Sequence, residues 1–474
     1  MAIVNGTDAG EMLNGTPSAD TINAFGGNDW LKGGGGDDSL KGGGGADILD
    51  GGAGIDTASY VWSPSGVRVS LQTGQGFGGD AQGDTLINIE NLVGSSFDDS
   101  LTGDGGNNEL IGYEGNDFLI GGDGADRLSG DNGNDYVGGG GGGDVLDGGA
   151  GFDFADYHSS PVGVFISLIT STAAYGDAEG DTLSGIEGVV GSDQADNLWG
   201  DDGVNWLHGA GGNDTLKGFG GDDFLTGGDG ADQLFGMNGY DTMFGYDGAD
   251  TLDGGAGDDY LDGGPGADVL RGGIGGDSYV VDTAADVVTE ARGEGSDIVF
   301  AQATYALAAG SEVEVLQAFD TSATTALDLI GNEFNNTIIG NNGGNIIAGG
   351  LGQDTLTGLG GPDVFVWFTT AETKQAGDQA DVITDFDPAS GDRIDVLPID
   401  ANEMVAGDQA FTFVGVVDFA SSFFTGPGQI GYFTSATDTF ILLNTRVDPG
   451  GVDFEEATIR LSGVHTPDAS WFIL

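Results

Sequence analysis

Residues 33–41 read Gly33-Gly34-Gly35-Gly36-Asp37-Asp38-Ser39-Leu40-Lys41, and residues 42–50 read Gly42-Gly43-Gly44-Gly45-Ala46-Asp47-Ile48-Leu49-Asp50. Both spell one nine-residue sentence, G-G-x-G-x-D-x-(apolar)-x, which runs four times without a break over residues 24–59 and recurs in phase over just over half the chain. A short fixed period is the signature of a repeat architecture, so it is read before anything else.

Each position has a physical task. Glycines at the first, second and fourth positions permit a tight loop with positive φ and leave backbone carbonyls uncovered. The apolar eighth residue is the middle of a short strand whose central side chain points inward. The sixth-position carboxylate adds a charged oxygen to those carbonyls, the donor chemistry of a hard cation that takes six to eight oxygens, as calcium does. Without a cation, stacked loops would set these carboxylates side by side.

Composition agrees. Among 474 residues, 77 are acidic and 11 basic, for a formal charge of −66, which excludes nucleic acid as an electrostatic partner and calls for a multivalent cation. With 96 glycines such a chain would ordinarily be disordered; the regular apolar eighth position instead predicts order conditional on metal, the chain being largely unfolded without it. There is no cysteine, so neither disulfides nor thiolate ligands hold the fold, and His158, His208 and His465 lie far apart. The N-terminal residues lack the basic and long apolar regions of a cleavable secretory signal. No run approaches the roughly 18 apolar residues of a membrane span, so no transmembrane segment is expected.

Keeping the phase, the chain divides into a first array at 1–59, a β-rich spacer at 60–93, a second array at 94–156, a duplicated spacer at 157–190, a third array at 191–280, a spacer at 281–330, a fourth array at 331–366 and a C-terminal region at 367–474. The phase begins at Gly6, which is expected to leave no room before it for a catalytic domain. The candidate metal ligands are the sixth-position aspartates. They are Asp20, Asp29, Asp38, Asp47 and Asp56 in the first array, and Asp99, Asp117, Asp126, Asp135, Asp144 and Asp153 in the second. The third array supplies Asp196, Asp214, Asp223, Asp232, Asp241, Asp250, Asp259, Asp268 and Asp277, and the fourth Asp354 and Asp363. Aspartate thus fills 22 of 27 phased positions, a regularity that a merely solvated acidic face does not require.

The two shorter spacers, beginning Tyr60-Val61-Trp62-Ser63-Pro64 and Tyr157-His158-Ser159-Ser160-Pro161, align without a gap at an offset of 97 residues, so a spacer-plus-array unit is duplicated. The alternation in Val67-Arg68-Val69-Ser70-Leu71 predicts a strand with Arg68 and Ser70 on its wet face. The spacer carboxylates Asp80, Asp84, Asp177 and Asp181 read either as further ligands or as turn residues. After each spacer, the first unit lacks the fourth-position glycine (Phe97, Gln194, Phe334) and the second has asparagine at the sixth position (Asn108, Asn205, Asn345). These read as capping turns.

The nonapeptide pattern resembles the RTX (repeats-in-toxin) family of secreted calcium-binding proteins. The resemblance implies an all-β fold, a parallel β-roll or β-helix solenoid with two nonapeptides per turn, and Ca2+ between loops 18 residues apart. Nineteen pairs of sixth positions have that spacing and 14 of them join Asp to Asp, so about 14–19 calcium ions are expected. They would move the formal charge from −66 to between −38 and −28. The segments Asp381-Val382-Ile383-Thr384-Asp385-Phe386-Asp387 and Gly391-Asp392-Arg393-Ile394-Asp395-Val396 resemble the C-terminal region of serralysin-type proteins. The ending Asp468-Ala469-Ser470-Trp471-Phe472-Ile473-Leu474 is similar to uncleaved type I secretion signals. These resemblances imply type I secretion machinery as a partner and an extracellular or cell-surface location.

No H-E-x-x-H occurs, which removes the protease that often precedes a serralysin-like tail, and no G-x-S-x-G elbow appears, so no enzyme is expected. Trp30, Trp62, Trp199 and Trp206 recur at no constant spacing and read as outward packing or assembly contacts rather than a sugar platform. The expected function is an extracellular calcium-dependent scaffold of surface-layer, matrix or adhesive type, with self-assembly or cell-surface polysaccharide as its partner. A nodulation-type or toxin-like effector acting on membranes, and a polysaccharide-binding accessory module, are the alternatives.

Overall fold

The computed structural model describes residues 2–369, 371–372, 380–399, 409–417, 424, 426–445 and 458–474. The chain forms two units, Met1–Thr242 and Met243–Leu474.

In the first unit, strands of three to seven residues alternate between the two faces of a roll, in sheets that are parallel apart from the spacer hairpins. Strand Trp30–Gly35 stacks on Ile48–Ala53 with Leu31 opposite Leu49, and Glu109–Glu114 stacks on Arg127–Asn132 with Leu110 opposite Leu128. Partners are 18 residues apart, so two nonapeptides make one turn. The eighth-position side chains Leu31, Leu40, Leu49, Leu101, Leu110, Leu119 and Leu128 are fully buried in ladders between the sheets, each worth about 1.5–3 kcal/mol relative to exposure. Gly36 shows why the fourth position wants glycine: its φ is +89°, and a Cβ there would lie 2.4 Å from the amide nitrogen of Ala19. The second position needs the left-handed backbone but not the glycine. Tyr113, Ala210, Phe219 and Met237 all hold it, with φ between 75° and 90°.

The duplicated spacers fold alike at the offset read from the sequence. In the first, strand Arg68–Ser70 turns back through Gln75–Phe77, runs through the 3-10 turn Gly79–Ala81 and re-enters the stack as Thr85–Ile87. In the second, Phe165–Ser167, Thr172–Ala174, Gly176–Ala178 and Thr182–Ser184 repeat the path. Arg68 is exposed and Val69 buried, as the alternation requires. The first copy extends the sheet of Ile48–Ala53 and the second the opposite sheet, that of Val145–Ala150. An odd number of nonapeptides lies between them, and each nonapeptide crosses to the other face.

In the second unit the coil passes through the third spacer without leaving the roll. Val287–Val288 stacks on Val269–Ile274, and Ile298–Ala301 stacks on Ser278–Val281. The roll also runs past residue 366, where the glycine phase stops. Asp381–Ile383 stacks on Thr355–Thr357, Arg393–Asp395 on Val364–Val366, and Phe472–Ile473 on Arg393–Asp395. An antiparallel meander of Gln429–Thr434, Asp438–Asn444 and Thr458–Ser462 joins it. The segment resembling a secretion signal is therefore a rung of the fold, with Trp471 and Phe472 buried. Among the described residues, no helix is long and apolar enough to cross a membrane.

Candidate metal centres

All 22 sixth-position aspartates are buried. The eighth-position leucine two residues later anchors the strand, and the glycines let the loop turn back so that the carboxylate sits beneath it. One carboxylate oxygen has a fixed duty between turns. The Asp29 amide donates to Oδ1 of Asp47 at 2.8 Å, that of Asp117 to Asp135 at 2.7 Å, and that of Asp126 to Asp144 at 2.7 Å. The same ladder bond runs from Asp38 to Asp56, Asp214 to Asp232, Asp223 to Asp241, Asp250 to Asp268 and Asp259 to Asp277.

The second oxygen is different. Oδ2 of Asp29, Asp38, Asp47, Asp56, Asp117, Asp126, Asp135, Asp144, Asp153, Asp214, Asp223, Asp268, Asp277, Asp354 and Asp363 is buried without a hydrogen-bond partner. A buried polar atom left unmade costs about 1–3 kcal/mol, and more when charged. The space beside it is defined by the first glycine of the repeat. A Cβ on Gly33 would lie 2.3 Å from Oδ2 of Asp38 and 2.4 Å from the carbonyl oxygen of Gly51 one turn on. On Gly121 it would lie 2.3 Å from Oδ2 of Asp126 and 2.6 Å from the Gly139 carbonyl. At these turns, and likewise at Gly51, Gly130 and Gly209, the first glycine keeps open a cradle lined by a carboxylate and a backbone carbonyl.

Burial pushes these carboxyl groups up, to about 6 at Asp47, Asp56, Asp126 and Asp153, with neighbouring carboxylates adding to the shift at each. At Asp117, Asp214 and Asp354 the value reaches about 8, for the same reasons. Among the described residues no three His, Cys, Asp or Glu side chains converge on one point. A cation here would therefore draw on carboxylate and carbonyl oxygen together. The donors are all hard oxygens, which fits calcium.

Three predicted ligands stand apart. Asp99 accepts from the Ser95 amide and hydroxyl and from the Val67 amide. Asp196 is closed in the same way by Ser192 and Val164, and Asp20 by Thr16 and Ala2. The asparagines are also self-contained. Asn108 accepts the Asp104 amide on Oδ1 and donates from Nδ2 to the Glu90 carbonyl, and Asn205 and Asn345 repeat the pattern. Turns next to spacers are thus capped by side-chain hydrogen bonds, in keeping with their degenerate sequences.

Of the spacer carboxylates, Asp84 and Asp181 occupy the ladder itself, accepting the amides of Asp47 and Asp144 on Oδ1. Their outer oxygens are closed by the buried hydroxyls of Tyr60 and Tyr157. Asp80 and Asp177 instead have their own amides held by Ser63 and Ser160. Other ladder residues lay hidden in the sequence. Glu90 and Glu187 receive the amides of Asp56 and Asp153. Asp286, Asp297, Asp381 and Asp392 receive those of Asp268, Asp277, Asp354 and Asp363. Asp286 is in phase but lacks glycines. Asp297 lies in a true Gly293-x-Gly295-x-Asp297-x-Val299 loop displaced by two residues, a signal that a search tolerant of insertions would have found. Fifth-position Asn and Asp side chains form a second ladder, as in Asn116 accepting from Asn134 at 2.7 Å.

The family model described as RTX calcium-binding nonapeptide repeat (4 copies) matches residues 5–40, 23–58, 88–119, 120–155, 175–216, 208–243, 244–279 and 330–365, more than half of the chain. The protein belongs to this family of RTX calcium-binding repeat proteins. No curated protein matches it over its sequence.

Proposed function

We propose that this is a secreted protein whose arrays fold on extracellular calcium into a rigid scaffold serving at a surface layer, in a matrix or in adhesion. The observation that carries the reading is the row of buried, unpartnered Oδ2 atoms, several of which share with a backbone carbonyl a cradle bounded by the first glycine of the repeat. Calcium satisfies these oxygens and removes the repulsion that would otherwise oppose folding. Extracellular calcium modules bind at about 10⁻⁴ to 10⁻³ M, so the chain stays unfolded and exportable inside a cell and folds outside it. RTX rolls are typical of non-catalytic repeat domains, and the scaffold reading needs no catalytic group. The exposed seventh-position aromatics favour packing over sugar binding, because they cover one another's faces. The face of exposed Tyr136 is stacked on buried Phe154, with centroids 4.6 Å apart and planes 7° from parallel.

The test is imaging of the calcium-loaded protein together with a vesicle-leakage assay. Ordered sheets, filaments or surface attachment without leakage are expected. A dispersed monomer at millimolar calcium that releases vesicle contents would replace the scaffold reading with a membrane-acting effector.

A further inference from the structure

The last nonapeptide of the third array, residues 272–280, departs from the rest at its inward position. There Tyr279 stands in place of leucine, fully buried. Eighteen residues after Gly272, where an array would continue with another first-position glycine, the spacer has Glu290. Its side chain folds into the roll and is only 4% exposed. Oε1 is fixed by three donors, the amides of Gly272 at 2.9 Å and Gly273 at 3.3 Å and the Tyr279 hydroxyl. Oε2 is buried and has no partner.

The same space holds a second orphan. Oδ2 of Asp277 is likewise buried and unpartnered, while its Oδ1 accepts the Asp259 amide. Gly272 locates the two groups together. Its amide binds Glu290, and a Cβ on it would lie 2.1 Å from Asp277 Oδ2 and 2.3 Å from the Tyr279 hydroxyl. The neighbouring arginines face elsewhere, Arg271 toward Asp253 and Glu294 and Arg292 toward Glu312. Two buried carboxylates with no basic partner are tolerated only when neutralised by a proton or a cation.

Resting on the reading of the arrays as calcium-loaded, we propose that Asp277 Oδ2 and Glu290 Oε2 hold a further calcium ion, at a site built by the spacer rather than by a nonapeptide loop. Tyr279 is the positioning residue that aims Glu290. The ion clamps residues 286–290 onto the final turn of the third array, so that the spacer closes on calcium at the same time as the array. Hard oxygen donors carrying two negative charges suit calcium, which accepts irregular geometry.

The experiment is anomalous diffraction from crystals of the full chain grown with terbium in place of calcium, for the wild type and for Glu290→Gln, which keeps an acceptor for the Gly272 and Gly273 amides. A peak between Asp277 and Glu290 is expected in the wild type, and its loss in the variant with array peaks unchanged. Filled array loops with no peak at Glu290, or a peak that persists in the variant, overturn this site alone. No peaks anywhere would overturn the calcium reading of the arrays as well. Should the variant fail to fold, the wild-type map decides.

Discussion

Asp117→Asn should change the sign of its effect on stability when calcium is removed. Asp117 lies between Asp99, which Ser95 and Val67 close, and Asp135, whose Oδ2 is also unpartnered, and so contributes to one site between two open carboxylates. Its Oδ2 is buried without a partner, and burial raises its carboxyl from 3.8 to about 8. At pH 7, folding without metal would cost about 4 kcal/mol at this position, that of protonating a carboxyl which is ionised in the unfolded chain, at 1.36 kcal/mol per pH unit. Solvent screening at the loop reduces this to ~2 kcal/mol. Asparagine removes that cost, and Asn108 shows how an amide at this position satisfies itself. In calcium the balance reverses. A site with Kd of about 10⁻⁴ to 10⁻³ M contributes ~2.7–4.1 kcal/mol at about 100 mM calcium, and losing it costs that amount. The variant should therefore be less stable than wild type by ~1–2 kcal/mol in urea unfolding at that calcium level. In chelator, with trimethylamine N-oxide to populate the fold, it should need less osmolyte than wild type. An effect of the same sign in both media would refute the assignment of Oδ2 as a calcium ligand.

Other outcomes follow from the same geometry. Raised carboxyl values mean that the metal-free fold binds more protons than the unfolded chain. Its stability should therefore rise as pH falls from about 8 to about 4, whereas in calcium the same acidification should weaken the fold by displacing metal; circular dichroism along both pH series reads the difference. Tyr60→Phe leaves Oδ2 of buried Asp84 without its donor and should cost about 1–3 kcal/mol in urea unfolding, and a change within error would show that this cap is dispensable. Ala210→Gly relieves a left-handed residue at φ 75° and should stabilise by up to ~1 kcal/mol after the entropy of glycine is subtracted, with a lowered unfolding midpoint as the contrary result.

The roll was legible wherever one residue carries one task at a fixed interval. The apolar residues two places after each aspartate, mostly leucine, give the strands, their ladder and the 18-residue turn, and the 97-residue offset gives both copies of the spacer. What escaped was written in residues whose task depends on a partner far away in sequence. Asp84 reads either as a ligand or as a turn residue until Tyr60 is seen to close it, and Asp99 reads as a ligand until Ser95 does the same. Asp381 and Asp392 continue the ladder at intervals of 27 and 29 residues, which no constant period contains. Tyr113 and Met237 hold glycine-like backbone although their side chains argue against it. That conformation is imposed by the turns above and below.

The most direct test of the account is the number of calcium ions bound per folded chain, measured by elemental analysis after equilibrium dialysis at millimolar calcium. The 18-residue spacing of the sixth positions predicts about 14–19 ions, and 11 of the Asp–Asp pairs join carboxylates that no local cap closes. Two or three ions per chain, with the β fold intact, would contradict it.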